Sequence, residues 1–145
     1  MKIRIVSALE LPINFKEGKV KFKESSIRTV IIQIHGGGFI SSTSKSHQSY
    51  IRRWANMIPD SVIISMDYRL SPEWSYPAPL DDIWQGYYWI LSECKKQLGI
   101  NPVNVIVVGD SAGGNFAMGL VLRCIHTGIR IPDGLLLAYP GNFYC

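Results

Sequence analysis

The sequence predicts an α/β protein in which a mostly parallel sheet carries helices on both faces. Three apolar runs rich in β-branched residues indicate strands, namely Val30–Ile34, Val62–Ile64 and Val105–Val108. Longer amphipathic segments separate these runs, and such alternation is typical of βαβ units. The length of 145 residues and the 47% hydrophobic composition fit one globular domain. No apolar run reaches the roughly 18 residues of a membrane-spanning helix.

Three helices are predicted between and after these strands. The first covers about residues 46–57, with Tyr50, Trp54 and Met57 on one face. The second begins near Pro79, because proline is favoured at the first helical position. The apolar face of the second helix consists of Ile83, Tyr87, Leu91, Cys94 and Leu98, broadened by Trp84, Tyr88 and Trp89.

A sharp turn with a serine at its apex joins the third strand to the third helix, which runs from Ser111 to about Thr127. Residues 109–113 have the pattern Gly-x-Ser-x-Gly. A strand–turn–helix setting strains the serine backbone and lifts its hydroxyl out of the sheet, as a nucleophile requires. Gly113 suits a close approach of strand and helix. We therefore expect Ser111 to be a nucleophile, while Asp110 stabilises the turn and points away.

Three consecutive glycines follow the first buried strand, in the segment His35-Gly36-Gly37-Gly38-Phe39. Glycines leave backbone N–H groups accessible, and acyl transfer needs such donors to stabilise an oxyanion. We expect the N–H groups of Gly37, Gly38 and Ala112 to form this oxyanion hole. Gly36 would shape the loop and His35 would brace it. Either motif alone also fits a glycine-rich turn or a structural serine, but the two in this order favour a hydrolase.

A third motif, Asp67-Tyr68-Arg69-Leu70-Ser71-Pro72-Glu73, lies between the other two. With HGGGF before it and GDSAGGN after it, the chain resembles the hormone-sensitive lipase family of α/β-hydrolases from about residue 29 to residue 140. Residues 43–47 (TSKSH) and 130–134 (RIPDG) are more similar to the animal lipases of this family than to its bacterial esterases. The resemblance implies the α/β-hydrolase fold and cofactor-free, metal-free hydrolysis of carboxylic esters, such as acylglycerols or other neutral lipid esters.

Charged residues of the third motif allow two interpretations. Asp67 and Glu73 could be catalytic carboxylates, with Arg69 as a clamp. Alternatively, the three side chains could form a buried structural salt-bridge network. We favour the structural network.

The acid and the base of a serine triad are missing from this chain. In the hydrolase fold an Asp or Glu and then a His follow the serine. After Ser111 the chain offers only His126 and then Asp133. We expect His126 near a helix C-terminus, Asp133 at the far end of the sheet, and His47 solvated in a polar loop. We interpret residues 29–145 as the N-terminal part of a catalytic domain, truncated before its last strands.

The sequence leaves open whether this is a fragment, a truncated gene model or a divergent short form. Each case predicts little ester turnover by the chain alone. A truncation before the last strands also predicts an unpaired sheet edge at Leu135–Ala138, and such an edge favours aggregation. The alternative is a catalytically dead ligand-binding protein or pseudoenzyme of the same fold, as in the plant gibberellin receptors that resemble this family.

The net charge of +4 is confined to the N-terminal segment. Residues 1–30 hold seven basic and three acidic side chains, whereas residues 31–145 hold eight of each. Residues 31–145 are therefore neutral overall and lack the basic stripe of a nucleic-acid-binding protein. We interpret residues 1–28 as a basic leader that forms either an edge strand or a loop. Its basic side chains either face solvent or contact an anionic lipid surface.

The cysteines and the N-terminus favour a cytoplasmic protein. Such a protein could also associate with a lipid droplet or a membrane surface. Cys94, Cys124 and Cys145 are odd in number and lack the spacing of a metal site. Glu10 and Pro12 interrupt the apolar stretch that a signal peptide would need. The sequence does not indicate an oligomeric state.

Overall fold

The computed structural model describes residues 2–9, 11, 13–16, 19–22 and 26–141, with the backbone alone for 13–16 and 19–22. These residues form a five-stranded sheet, a separate two-stranded hairpin and three helices. The strands are β1 (Lys2–Ser7), β2 (Ile13–Lys16), β3 (Lys19–Phe22), β4 (Thr29–Ile34), β5 (Ser61–Asp67), β6 (Asn104–Asp110) and β7 (Gly134–Ala138). The helices are α1 (Gln48–Met57), α2 (Ala78–Leu98) and α3 (Ala112–Thr127).

The five-stranded sheet has the order β1-β5-β4-β6-β7 and is parallel except for β1, which pairs antiparallel with β5. The mostly parallel α/β architecture predicted from the sequence is thus confirmed. In the centre, Ile34 of β4 is in register with Gly109 of β6. Because these strands run the same way and end together, the loops that follow them meet at one edge of the sheet.

Helices cover both faces of the central strands, which explains why those strands are apolar along their whole length. On one face α2 and α3 pack over a large cluster that includes Ile32, Ile64 and Val107. On the other face Ile51 of α1 packs over a smaller cluster with Ile63. Full burial of such a side chain contributes about 1.5–3 kcal/mol.

Two expectations for the helix faces are wrong. Tyr88 of α2 is 54% exposed and does not broaden the covered face, and Met57 of α1 is 78% exposed although Trp54 packs against the core. Met57 is the last residue of its helix. The left-handed backbone of Gly99 ends α2 and that of Gly128 ends α3, as glycine allows without a Cβ penalty.

Within the described ranges, β7 pairs with β6 on one side only, so it forms an edge of the sheet. Leu135 and Leu136 are exposed there. None of the helices in the described part of the chain is long and apolar enough to cross a bilayer. Of the positions used in the sequence analysis, Glu10, Pro12, Cys145 and the side chains of the basic run at 16–23 lie outside the described residues.

Candidate active site

Ser111 occupies the strained turn between β6 and α3. Its backbone has φ 50° and ψ −120°, a conformation that non-glycine residues rarely adopt. Such strain costs on the order of 1–3 kcal/mol and persists only when the surroundings fix it. Here the Ser111 N–H donates to the carbonyl of Ala138 at 2.9 Å, and the Ser111 carbonyl accepts from the N–H of Asn115 at 3.2 Å. The serine is therefore held between β7 and the first turn of α3.

Two glycines permit this turn to lie against its neighbours. A Cβ on Gly109 would clash with the backbone of Gly113, and a Cβ on Gly113 would clash with the Ile34 carbonyl. The close approach of β4, β6 and α3 explains why both positions of the Gly-x-Ser-x-Gly pattern lack a side chain.

The triple-glycine loop lies directly against the serine. A Cβ placed on Gly36 would lie 3.2 Å from the Cβ of Ser111. Gly37 and Gly38 have φ values of 128° and 62°, and the Gly37 carbonyl accepts hydrogen bonds from Ile40 and Ser41. In the described part of the chain, no acceptor pairs with the N–H of Gly37 or Gly38. These two unpaired donors therefore belong to the loop whose Gly36 packs against Ser111.

Ala112 adds a third available donor at the same place. It is the first residue of α3, and the first four N–H groups of a helix have no intrahelical partner. The positive end of the helix dipole also favours negative charge at this position.

His35 is buried beneath the glycine loop and is held on two sides. Its Nδ1 lies 2.8 Å from the Gly36 carbonyl, and its ring stacks on Tyr68 with centroids 4.3 Å apart. Tyr68 in turn donates its hydroxyl to the His35 carbonyl at 2.7 Å. Burial lowers the pKa of His35, so the neutral ring with a proton on Nδ1 fits this environment. Sequence reasoning did not identify Tyr68, although it lies within the third motif.

The expectation that His47 is solvated is wrong. Its side chain is only 18% exposed, and Nε2 lies 3.4 Å from Oδ2 of Asp110. Its Nδ1 faces the Ser42 hydroxyl at 3.4 Å. The other Asp110 oxygen accepts from the Tyr50 hydroxyl at 3.4 Å. Asp110 therefore faces the start of α1 and links this helix to the turn that carries Ser111.

The expected network of Asp67, Arg69 and Glu73 is also wrong. Arg69 forms a two-pronged ion pair with Asp82 of α2, with both N–O distances at 2.8 Å. Asp67 accepts a hydrogen bond from the Ser44 hydroxyl at 2.9 Å, and Glu73 is exposed. The pairing of Asp82 with Arg69 was not predicted, because an acidic residue in a first helical turn is usually explained by the helix dipole alone.

The remaining acid and base candidates lie far from Ser111. The Asp133 carboxylate accepts from the Val105 N–H at 2.7 Å, at the opposite end of β6. His126 is exposed in the last turn of α3, roughly 22 Å along the helix axis from Ser111. Among the residues that the structure describes, no histidine contacts the Ser111 side chain, and no three His, Cys, Asp or Glu side chains converge as metal ligands.

A parallel sheet with a strained serine between its strand and its helix, next to a glycine loop, is the arrangement of an α/β hydrolase. Residues 31–144 match the protein family described as the alpha/beta hydrolase fold, and the chain belongs to this family.

Its relatives include lipases, esterases and receptors. The chain is 41% identical over 115 residues to hormone-sensitive lipase of Bos taurus, a match that covers 79% of this chain and 15% of the lipase. It is 36% identical over 116 residues to gibberellin receptor GID1B of Arabidopsis thaliana, covering 78% of this chain and 32% of the receptor. The resemblance to hormone-sensitive lipase is thus confirmed, and the chain spans about 15% of that relative's length.

A solved structure gives the same picture of the fold. The ester-hydrolase EH1AB1 from the metagenome of Lake Arreo superposes with a TM-score of 0.74 at 35% sequence identity. The match covers 80% of this chain and 36% of that hydrolase.

Proposed function

We propose that this protein is a carboxylic-ester hydrolase that acts on neutral lipid esters such as acylglycerols, with Ser111 as its nucleophile. The observation that carries the proposal is the packing of the strained Ser111 against a glycine loop with unused N–H donors. Esterases and lipases among the relatives support the same reaction class.

In the proposed reaction the Ser111 hydroxyl attacks the ester carbonyl carbon. The carbonyl oxygen becomes an oxyanion and accepts hydrogen bonds from the N–H groups of Gly37, Gly38 and Ala112. The hydroxyl proton of Ser111 passes to the general base during the attack. When the intermediate collapses, this proton passes to the leaving oxygen, so the alcohol departs and an acyl group stays on Ser111. Water then releases the acid and restores the serine. The protein's own residues supply the nucleophile and the oxyanion donors, and the reaction needs neither metal nor cofactor.

We propose that the proton acceptor and its carboxylate partner come from residues outside this sequence. The positions of His35, His47 and His126 support this, because each ring is engaged or distant from Ser111. Residues 29–145 would then be the first part of the catalytic domain. Loss of triad members leaves only the rate enhancement due to the oxyanion hole and substrate binding, about 10³–10⁴-fold over water.

Labelling of Ser111 tests the proposal. We expect a fluorophosphonate to modify the purified chain slowly, with the adduct found on Ser111 by peptide mass spectrometry, and p-nitrophenyl butyrate to be turned over weakly. Ser111→Ala should abolish labelling, whereas Ser49→Ala, at an exposed position of α1, should leave it unchanged. If the Ser111→Ala variant is labelled as much as the parent chain, Ser111 is not the nucleophile. Rapid turnover that depends on Ser111 would contradict the proposal that the proton acceptor lies outside this sequence.

A ligand-binding function is the second candidate, because gibberellin receptors are among the relatives. It requires saturable binding of a small molecule near Ser111 with no phosphonate adduct on that serine. The same labelling experiment therefore separates the two functions.

We also propose a cytoplasmic location, with peripheral contact to a lipid surface. Cys94 and Cys124 are free and buried, which fits a reducing compartment. Burial raises the pKa of Cys94 to about 11, so its thiol is unreactive at neutral pH.

A further inference from the structure

The carboxylate of Asp110, one residue before the proposed nucleophile, packs between two other segments of the chain. Its Oδ2 atom lies 3.4 Å from Nε2 of His47, and its Oδ1 atom accepts a hydrogen bond from the Tyr50 hydroxyl at 3.4 Å. A Cβ placed on Gly36 would lie 2.6 Å from the same Oδ2 and 2.8 Å from the Asp110 carbonyl oxygen. The carboxylate therefore fills the space between the glycine loop and the start of α1.

A row of polar side chains inside the sheet orients the Tyr50 hydroxyl. Gln33 of β4 and Ser65 of β5 are fully buried, and the Ser65 hydroxyl donates to Oε1 of Gln33. With the amide in this orientation, Nε2 of Gln33 donates to the Tyr50 hydroxyl oxygen at 3.0 Å. Because a hydroxyl has a single proton, that of Tyr50 is left for Asp110. Burial and the charge of Asp110 raise the pKa of Tyr50, so its hydroxyl keeps this proton at neutral pH.

His47 faces the carboxylate from the other side and is itself held in place. Its ring packs edge-on against Tyr50 with centroids 5.5 Å apart, and its Nδ1 lies 3.4 Å from the Thr43 carbonyl oxygen. An ionised carboxylate only accepts hydrogen bonds, so a proton on Nε2 of His47 suits the contact with Asp110. Both contacts to Asp110 are longer than the roughly 2.8 Å of strong charge-assisted hydrogen bonds. We therefore expect them to direct the carboxylate without adding much stability.

The position of this carboxylate bears on the geometry of the site because Asp110 and Ser111 are consecutive. A shift of the carboxylate toward the glycine loop would press on Gly36 and displace the loop with its N–H donors. The strained backbone of Ser111 also persists only while its surroundings fix it. The bond from its N–H to the Ala138 carbonyl fixes the turn from β7, and the Asp110 carboxylate fixes it from α1.

We propose that Tyr50 and His47 are positioning residues, which act through the Asp110 carboxylate to hold the Ser111 turn against the glycine loop in the geometry that acylation requires. The inference deepens the ester-hydrolase function proposed above and rests on it for the reacting serine. These side chains touch neither the substrate nor the reacting atoms. Their loss should therefore lower the rate constant of acylation and leave the affinity for the acylating reagent unchanged.

Two tyrosines that each donate one hydrogen bond separate positioning from stability. Tyr50→Phe removes the donor to Asp110 and keeps the ring. Tyr87→Phe is the matched control, because the buried Tyr87 donates to the Arg130 carbonyl at 2.5 Å, at the end of the sheet opposite to Ser111.

The two variants should rank in opposite order for labelling and for stability. Tyr50→Phe should slow fluorophosphonate labelling of Ser111 about tenfold at an unchanged half-saturating concentration, since misplacement by about 1 Å can cost about 10²-fold. Tyr87→Phe should lower the melting temperature more than Tyr50→Phe and label at the parent rate. If labelling falls in proportion to the loss of stability in both variants, the positioning role is wrong.

Conservative substitutions of His47 test the second donor. His47→Gln keeps an N–H group that can reach Asp110, whereas His47→Leu does not. We expect His47→Leu to slow labelling roughly fivefold and His47→Gln to restore most of the rate. Equal labelling rates of these two variants would contradict the role of His47.

A double substitution tests whether Tyr50 acts through Asp110. Asp110→Asn turns an N–H group toward one of the two donors and breaks that contact. In this background Tyr50→Phe should slow labelling by less than about twofold, because coupled residues have non-additive effects. A full tenfold effect in both backgrounds would show that Tyr50 does not act through the carboxylate.

Amide hydrogen exchange measures the geometry of the turn without any chemistry at the serine. In Tyr50→Phe the Ser111 N–H should exchange faster than in the parent chain. The Ile129 N–H, which donates to the Cys124 carbonyl at 3.2 Å at the far end of α3, should exchange at the parent rate. Faster exchange at Ser111 alone, in a chain that forms no phosphonate adduct, would support positioning and contradict only the proposed chemistry. An adduct that forms equally fast in Tyr50→Phe and the parent chain would contradict positioning and leave the chemistry standing.

Discussion

At the scale of single residues, the candidate site depends on backbone conformations that few side chains tolerate. Ser111, Gly37 and Gly38 all have positive φ, and Gly37 is also packed so tightly that a Cβ would clash with Ser41. Gly38 differs because the space around its Cα is open. Its backbone conformation can therefore be tested without a steric clash.

Replacement of Gly38 by Ala should impair acylation of Ser111 more than it impairs stability. The left-handed conformation costs an alanine on the order of 1–2 kcal/mol, so the loop should rearrange and misplace its N–H donor. We expect fluorophosphonate labelling of Ser111 to slow by about tenfold or more, since loss of one oxyanion donor costs about 10²–10³.

Gly128→Ala is the matched control for that substitution. Gly128 ends α3 with φ 68°, close to the 62° of Gly38, and the space around it is equally open. Both variants should lose similar stability in thermal denaturation, but only the Gly38 variant should label slowly. Equal labelling rates would show that the Gly38 donor plays no part.

At the scale of elements, polar side chains fix how the segments after β4, β5 and β6 meet. The His47–Asp110 contact links α1 to the end of β6, and the Arg69–Asp82 pair links the segment after β5 to α2. Asp82 also accepts from the backbone N–H of Arg69 at 3.0 Å. This carboxylate is 6% exposed, so its three hydrogen bonds form in a largely dry environment.

Two adjacent aspartates of α2 allow a paired test of this link. We expect Asp82→Ala to lower the free energy of unfolding more than Asp81→Ala does, because it removes three hydrogen bonds to a carboxylate that is 6% exposed. Asp81 pairs with Arg123 where both side chains are at least 35% exposed, so Asp81→Ala should cost less than about 1 kcal/mol. Urea denaturation followed by circular dichroism measures both, and equal losses would contradict the structural role of Asp82.

At the scale of the whole molecule, folding places a histidine in the core between groups that are far apart in sequence. His35 is 1% exposed, and its ring lies near His47, Asp67 and Asp110. Burial is the main cause that lowers its pKa below the ordinary 6.5, and the neighbouring His47 acts in the same direction. The Gly36 carbonyl and the two carboxylates oppose the shift.

This burial predicts a loss of stability in mild acid. The unfolded chain binds a proton on His35 before the folded one does, so its contribution is complete above pH 6.5 and is lost as the pH falls below that value. The slope can reach about 1.4 kcal/mol per pH unit. Urea denaturation between pH 7.5 and 5.5 should show this loss, and His35→Gln should reduce it. His126→Gln, at an exposed position, should leave the loss as in the parent chain.

The sequence by itself determined the order of strands and helices from β4 onward and the position of the sharp turn. Apolar runs marked β4, β5 and β6, since these strands are buried on both faces and need no alternation. Local glycine patterns marked the loops around Ser111 and Gly37, because the backbone conformation there excludes most side chains.

Only the tertiary structure decided which polar groups pair and which apolar groups stay exposed. His47 and Asp110 are 63 positions apart, and their contact depends on how α1 packs against the sheet. An apolar groove lined by Met118 and Leu122 likewise depends on where α2 and its preceding loop lie relative to α3. Residue type and spacing within one segment carry no information on such contacts, because they arise from the packing of elements that are distant in sequence.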